Sequence, residues 1–146
     1  MTIEVSTDPS RLDVAMIHAF LSEQSHWARG IPLERVARAL ANSLCFGAYE
    51  AGAQVGFARV VTDCATFAWL ADVFVLEAHR GCGIGAQLMA AVGLHADLQG
   101  LRRHALVTST ASALYVRYGF TPLRNADIWM ERLDPDAYAK LQAPPA

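Results

Sequence analysis

The run Arg80-Gly81-Cys82-Gly83-Ile84-Gly85-Ala86 is the part of this chain whose residue types and spacing most clearly suit chemistry. It follows the apolar stretch Val73-Phe74-Val75-Leu76 and precedes Gln87-Leu88-Met89-Ala90-Ala91-Val92, which reads as helix. Glycines at a strand-to-helix junction let backbone N–H groups converge without Cβ obstruction. The helix N-terminus adds partial positive charge at the same point. The expected ligand therefore carries a phosphate or pyrophosphate arm. A plain tight turn at positive φ would need fewer glycines than stand here. Gly81-x-Gly83-x-x-Ala86 formally fits the dinucleotide fingerprint. That fingerprint, however, opens a parallel βαβ unit with an acidic residue about 20 positions on. Here hairpin-like strands precede the loop, and Leu101-Arg102-Arg103 stands where the acid belongs. A Walker A loop requires Gly-Lys-Ser/Thr, which Gly85-Ala86-Gln87 lacks.

The elements that must position this loop can be read along the chain. Ile3 to Ser6 reads as a strand. Asp8-Pro9 reads as a helix start, followed by Leu12, Met16, Ala19 and Phe20 on one helical face to about Leu21. Ser22 to Ile31 is a polar and aromatic linker, and a second helix begins near Pro32 with Leu33, Val36, Ala37 and Leu40 at helical spacing. Leu44 to Glu50, Gln54 to Thr62 and Thr66 to Leu76 are apolar runs separated by short turns, the pattern of an antiparallel meander. After the loop the spacing predicts a helix to about Leu98, a strand over His104 to Thr108 and a short helix over Ser109 to Tyr118. Gly119 and Pro122 end that helix. Phe120 to Leu123 and Asp127 to Leu133 then read as a closing strand pair, and Asp134 to Ala146 as a loose Ala/Pro-rich tail. The expected fold is one α/β domain over residues 1–146, with a mixed sheet of six to seven strands and about four helices.

Composition narrows the partners. With 53% hydrophobic and 18% charged residues and a formal net charge of −2, the chain suits a compact globular protein without a polyanion partner. Arg102-Arg103 is far short of a nucleic-acid footprint. No apolar run approaches the roughly 20 residues of a membrane span, and the start lacks signal-peptide character, so a cytoplasmic location is expected. Cys45, Cys64 and Cys82 are odd in number and widely spaced, which disfavours a disulfide framework or a CxxC zinc site. No histidine pair has metal-ligand spacing.

The segment Val75 to Gly85 resembles motif A of the GNAT superfamily, the acetyl-CoA-dependent N-acetyltransferases. The family pattern Arg/Gln-x-x-Gly-x-Gly/Ala falls on Arg80, Gly83 and Gly85. A second segment, Ala113-Leu114-Tyr115-Val116-Arg117-Tyr118-Gly119-Phe120, resembles the family's Leu-Tyr-x-x-x-Gly-Phe stretch, with one helix and one strand between the two. The chain departs from the pattern at Glu77, where relatives often have Pro. It departs again at Thr108-Ser109-Thr110-Ala111-Ser112, where they often place Asn or Asp.

The resemblance implies the GNAT fold over nearly the whole chain, acetyl-CoA as donor co-substrate and an amine as acceptor. The amides of Gly81, Cys82, Gly83, Ile84, Gly85 and Ala86, with Arg80, would hold the CoA pyrophosphate. The backbone of Val73, Phe74 and Val75 would meet the amide-bearing pantetheine arm. An alkylammonium of pKa about 10.4 holds its proton at pH 7, so freeing the lone pair costs about 4–5 kcal/mol and calls for a proton acceptor. Asp72, an acid inside an apolar strand, is the candidate; Glu131 is second, and Asp63 sits in an ordinary turn. An N–H near Val75 suits the oxyanion. Tyr115 stands where family members often place the general acid. Cys82 lies in the phosphate cradle, away from the thioester, which disfavours an acyl-cysteine route. His26, Trp27, Trp69 and Trp129 are expected to line a pocket for a small amine or amino-acid-like acceptor. Edge strands and exposed apolar content suit a homodimer. The rival reading is a non-catalytic acyl-CoA-binding or regulatory module of the same fold.

Overall fold

The computed structural model describes residues 2–142 of the chain. Five strands form one sheet in sequence order: β1 (Ile3–Ser6), β2 (Leu44–Glu50), β3 (Ala53–Thr62), β4 (Phe67–Val75) and β5 (Arg103–Ala105). The first four pair antiparallel and β5 joins β4 in parallel, so the sheet is mixed. The parallel step requires a crossover, and the helix after the glycine loop, α3 (Ile84–Leu94), supplies it. The remaining α-helices are α1 (Val14–Ala19), α2 (Leu33–Ala41), α4 (Ser112–Val116) and α5 (Ala137–Gln142). No helix among the described residues is long and apolar enough to cross a membrane.

Each face of the sheet has its own core. On one face Phe46, Ala48, Ala58, Val60 and Leu70 pack against Ile84, Leu88, Met89 and Val92 of α3. On the other, Phe57 and Phe74 pack against Ile17, Phe20, Leu21, Val36 and Leu40 from the α1–α2 layer. Phe20 stacks on Phe74 with ring centroids 3.9 Å apart. Each fully buried Leu or Phe contributes about 1.5–3 kcal/mol, so burial is the main force that holds both layers on the sheet. Gly56 lets α3 sit close: a Cβ there would meet Ile84 Cγ2 at 3.2 Å and Leu88 Cδ1 at 3.3 Å.

The entry into the first layer is more broken than a single helix from Pro9. Asp8 caps a 3₁₀ turn over Pro9–Arg11, and Asp13 caps α1 by accepting from the Met16 N–H at 3.0 Å. A π-helical turn over Phe20–Gln24 then carries the chain into the linker.

The expected closing strand pair is not formed, so the sheet has five strands among the described residues rather than six to seven, and the α-helices number five. The local chemistry explains it. Pro122 offers no ladder donor. Asn125 turns the chain at φ 56°, and Ala126–Ile128 close a 3₁₀ turn where the second strand should begin. The sheet edge next to that segment, β5, is three residues long. Ile128, Met130 and Leu133 consequently stand out from the surface, 72%, 96% and 71% exposed. Of the C-terminal tail, α5 is ordered; residues 143–146 lie outside the described residues.

Candidate active site

The glycine loop turns sharply from the end of β4 into α3. Gly81 and Gly83 hold φ of 79° and 80°, a backbone state that side-chain-bearing residues rarely adopt, and Gly83 is the N-cap of α3. The first helical bond runs from the Gln87 N–H to the Gly83 carbonyl at 3.1 Å. The amides of Ile84, Gly85 and Ala86 therefore have no acceptor within the helix. Arg80 curls back and donates from Nε to the Val75 carbonyl at 3.0 Å, which ties the loop to the end of β4.

Beside this loop β4 has an open edge. It pairs with β5 only at Phe67–Trp69 against Arg103–Ala105, so from Leu70 to Val75 the edge facing β5 has no strand partner among the described residues. Val73, Phe74 and Val75 lie on this splayed stretch. The unpaired N–H and C=O groups of such an edge can take up an amide-bearing chain as an added strand.

A β-bulge decides where Asp72 points. Phe57 pairs with Phe74 and Arg59 with Ala71, so Asp72 and Val73 together oppose the single residue Ala58. Asp72 sits at φ 54°, a state Asp tolerates better than most residues. Strict alternation from Leu70, which packs on the α3 face, would send Asp72 into that apolar core. The bulge sends it to the opposite face instead. There Asp72 Oδ1 accepts from Trp27 Nε1 at 2.9 Å and Oδ2 accepts from Arg59 Nε at 2.7 Å. The Arg59 and Asp72 side chains are only 18% and 11% exposed. Arg59 Nη1 also donates to Ser43 Oγ at 3.1 Å.

Asp72 opens onto a cavity of about 610 Å³ between β4 and the α1–α2 layer. That size lies within the about 300–1,000 Å³ typical of small-molecule sites. Its β4 wall is Trp69, Ala71 and Asp72, Trp27 and Tyr138 supply aromatic surface, and Arg35 and Arg38 stand on the α2 wall. The Gln142 side-chain amide bonds the Gly30 carbonyl, which fastens α5, and with it Tyr138, against the linker.

Of the expected acceptor-site aromatics, Trp27 and Trp69 line this cavity and two others do not. His26 is exposed and meets Trp27 edge-on with centroids 5.2 Å apart, outside the lining. Trp129 lies across the sheet edge in a separate groove of about 1490 Å³, beside β5, where the Arg103 guanidinium covers its ring at 5.1 Å. Trp69 touches both spaces. Glu131 lines that second groove as an exposed residue outside any strand, away from Asp72. Arg35, Arg38, Arg59 and Tyr138 are lining residues that sequence reasoning missed. Arg35 and Arg38 carried no signal in the sequence, where they read as the solvated face of a helix that buries Val36 and Leu40.

Tyr115, on α4, is buried in the α3-side core with its ring edge-on to Phe120, centroids 6.0 Å apart. Burial pushes its phenol above the ordinary tyrosine range, so it stays protonated at neutral pH. It lines neither cavity. The turn just after its helix nevertheless stands against the first turn of α3: Tyr118 O–H donates to the Ala86 carbonyl at 2.9 Å. A Cβ on Gly85 would lie 3.8 Å from Leu114 Cδ2. Within the serine/threonine stretch, Thr108 Oγ1 is occupied in accepting from the Ala111 N–H at 3.0 Å, which sets the start of α4.

Comparison with known proteins fits this geometry. The family described as acetyltransferase (GNAT) domain matches residues 41–122, which span β2 through the turn after α4. A crystal structure from Xanthomonas campestris pv. campestris, described as an acetyltransferase of the GNAT family, superposes with a TM-score of 0.93. It is 54% identical and covers 95% of this chain and 98% of that one. A Gibberella zeae protein inferred to be an acetyltransferase is 36% identical, over 76% of this chain and 74% of its own length. A Clostridium acetobutylicum structure solved with acetyl-CoA shares the fold at a TM-score of 0.66 and 18% identity, covering 90% of this chain and 96% of that one.

Proposed function

The chain belongs to the GNAT acetyltransferase family, and on that premise we propose that it moves the acetyl group of acetyl-CoA to a primary amine by direct attack. One observation supports the reading: β4 borders both an open edge and a cavity. Its open edge continues into the glycine loop, and its bulge turns Asp72 into a cavity on the α2 side. A donor laid along the edge and an acceptor in the cavity would meet at the bulge.

On this reading the amides of Cys82 through Ala86 hold the pyrophosphate, with Arg80 beside them. The backbone of Val73 to Val75 holds the pantetheine arm and supplies the N–H that meets the oxyanion. The amine nitrogen attacks the thioester carbonyl, a tetrahedral intermediate forms, and the C–S bond breaks to release the CoA thiolate. Asp72 holds the incoming ammonium. Both Asp72 oxygens already accept from Trp27 and Arg59, so Asp72 orients the ammonium and the proton leaves to water in the open cavity.

Tyr115 stabilises the departing thiolate. Full transfer from a phenol of pKa about 10 to a thiolate whose acid has pKa about 8.5 is uphill by about 2 kcal/mol. Burial of Tyr115 increases that gap. Tyr115 therefore donates a hydrogen bond, and the proton that finally neutralises the thiolate comes from the amine through water.

The test is release of CoA thiol from acetyl-CoA across a panel of amines, polyamines, amino acids and peptides. The reading expects at least one acceptor to raise turnover well above hydrolysis. Tight acetyl-CoA binding with no acceptor above hydrolysis would instead favour a non-catalytic acyl-CoA-binding module.

A further inference from the structure

The acceptor cavity has a polarity, and it points to more than an amine. Its β4 wall carries the one carboxylate of the lining, Asp72. Its α2 wall carries Arg35, Arg38, Ala39 and Asn42, which at spacings of three, four and seven residues fall on one helical face. The third guanidinium of the lining, Arg59, is committed to Asp72 and Ser43. Arg35 and Arg38 differ: among the described residues neither guanidinium has an ion-pair or hydrogen-bond partner. Asp72 and Arg59 offset each other, so the cavity keeps an unbalanced positive charge, and that charge lies on the α2 wall. Between the walls stand the aromatic surfaces of Trp27 and Tyr138.

We propose that the acceptor is an amine that also bears an anionic group, a carboxylate or phosphate, at the end of the molecule remote from the nitrogen, and that Arg35 and Arg38 select it. This rests on the acetyl-transfer reading for the placement of the amine at β4. The chemistry of the two walls then sets the orientation. An ammonium is repelled by Arg35 and Arg38 toward the β4 wall, where the lone pairs of Asp72 not used by Trp27 and Arg59 can accept it and the thioester adjoins. A carboxylate or phosphate is drawn to the α2 wall, where a guanidinium presents a planar fork of donors matched to its oxygens. The aromatic surfaces between them suit an apolar or methylene spacer. An uncharged-tail amine would leave both guanidinia without a counter-ion, and so loses in selection against its acidic analogue.

The experiment compares matched acceptors: butylamine with 4-aminobutanoate, and ethanolamine with phosphoethanolamine. The readouts are kcat/KM for CoA release and Kd from tryptophan fluorescence, since Trp27 lines the cavity. The wild type is expected to prefer the anionic member of at least one pair by tenfold or more. The carboxylate and phosphate arms tell the two sources apart. In the double variant Arg35→Gln, Arg38→Gln that preference ratio falls at least tenfold, and the Kd of the anionic amine rises by a similar factor. Arg35→Lys with Arg38→Lys, which keeps the charge, retains most of both. Both arginines are exposed, so the variants are expected to fold. Equal Kd in wild type and double variant, a wild-type preference for the uncharged members, or no detectable binding of either anionic amine would overturn the proposal. Absence of transfer to every amine, with the Kd difference intact, would refute the proposed reaction and leave this inference standing.

Discussion

Gly85→Ala separates what the fold needs from what the ligand needs. Gly85 is the second residue of α3 and does not hold positive φ. A Cβ there meets only Leu114 Cδ2, at 3.8 Å, an ordinary contact. The substitution therefore introduces no clash and removes a flexible residue from a helix, where Ala is favoured over Gly by about 0.8–1.0 kcal/mol in an interior and less in a first turn. We expect a stability gain of about 0.5 kcal/mol and a Tm higher by about 1–2 °C for a chain of this size. Binding should move the other way. If the Gly85 amide faces the pyrophosphate, a methyl between loop and ligand lengthens a charge-assisted hydrogen bond worth about 1.5–3 kcal/mol, or roughly 10- to 100-fold in Kd. Thermal unfolding and calorimetric titration with acetyl-CoA read the two effects on the same sample. A higher Tm with unchanged Kd would refute the placement of the phosphates on this loop. A large loss of Tm would refute the packing described around α3.

Tyr115→Phe should lower kcat roughly 10- to 100-fold, the value of one hydrogen bond to a developing charge, while the KM for acetyl-CoA stays within about threefold; an unchanged kcat would remove Tyr115 from the chemistry. Because burial raises its folded pKa, the stability contributed by the neutral phenol is present below about pH 10 and is lost as pH rises past the raised value. An alkaline fall of kcat set by this group should accordingly begin above the ordinary tyrosine range. Asp72→Asn leaves Arg59 without its counter-ion in a largely enclosed position and should cost about 1–3 kcal/mol of stability. It should also raise the KM for the amine and alter the pH–rate profile, with acetyl-CoA affinity retained; an unaltered profile would place proton removal with solvent alone. Burial pushes the Cys45 thiol up to about 11, whereas Cys64 and Cys82 are exposed. A thiol reagent at pH 8 should therefore titrate two cysteines quickly in the native protein and the third only on unfolding, with acetyl-CoA shielding Cys82. Three fast thiols would contradict the packing of Cys45.

The readable part of the site was the part encoded by backbone requirements. Gly81 and Gly83 are legible because their positive φ demands glycine, and the apolar runs on either side show which element each end joins. The meander of β2, β3 and β4 follows from apolar runs and short turns. Asp72 could be singled out as an acid in an apolar strand, but its direction could not be read. A bulge is a count of two residues against one on a partner strand, and that count belongs to the pairing, not to the sequence of either strand. The closing strands were overread from their apolar alternation, while Pro122, the left-handed Asn125 and the short β5 edge prevail locally. With that pair absent, Trp129 and Glu131 fall beside β5 instead of entering the cavity next to Asp72. Arg35 and Arg38 look like any solvated helix face until β4 is placed opposite them. Tyr138 becomes a wall residue only because α5 folds back onto the linker.

The most direct test of the donor site is a map of backbone amide chemical shifts on titration with acetyl-CoA. The account predicts the largest perturbations at Cys82 through Ala86 and at Val73 through Val75, with a smaller response at Asp72 and Trp27 across the bulge. Shifts concentrated instead around Arg103, Trp129 and Glu131, with the loop amides unmoved, would place the donor in the groove beside β5 and contradict the account.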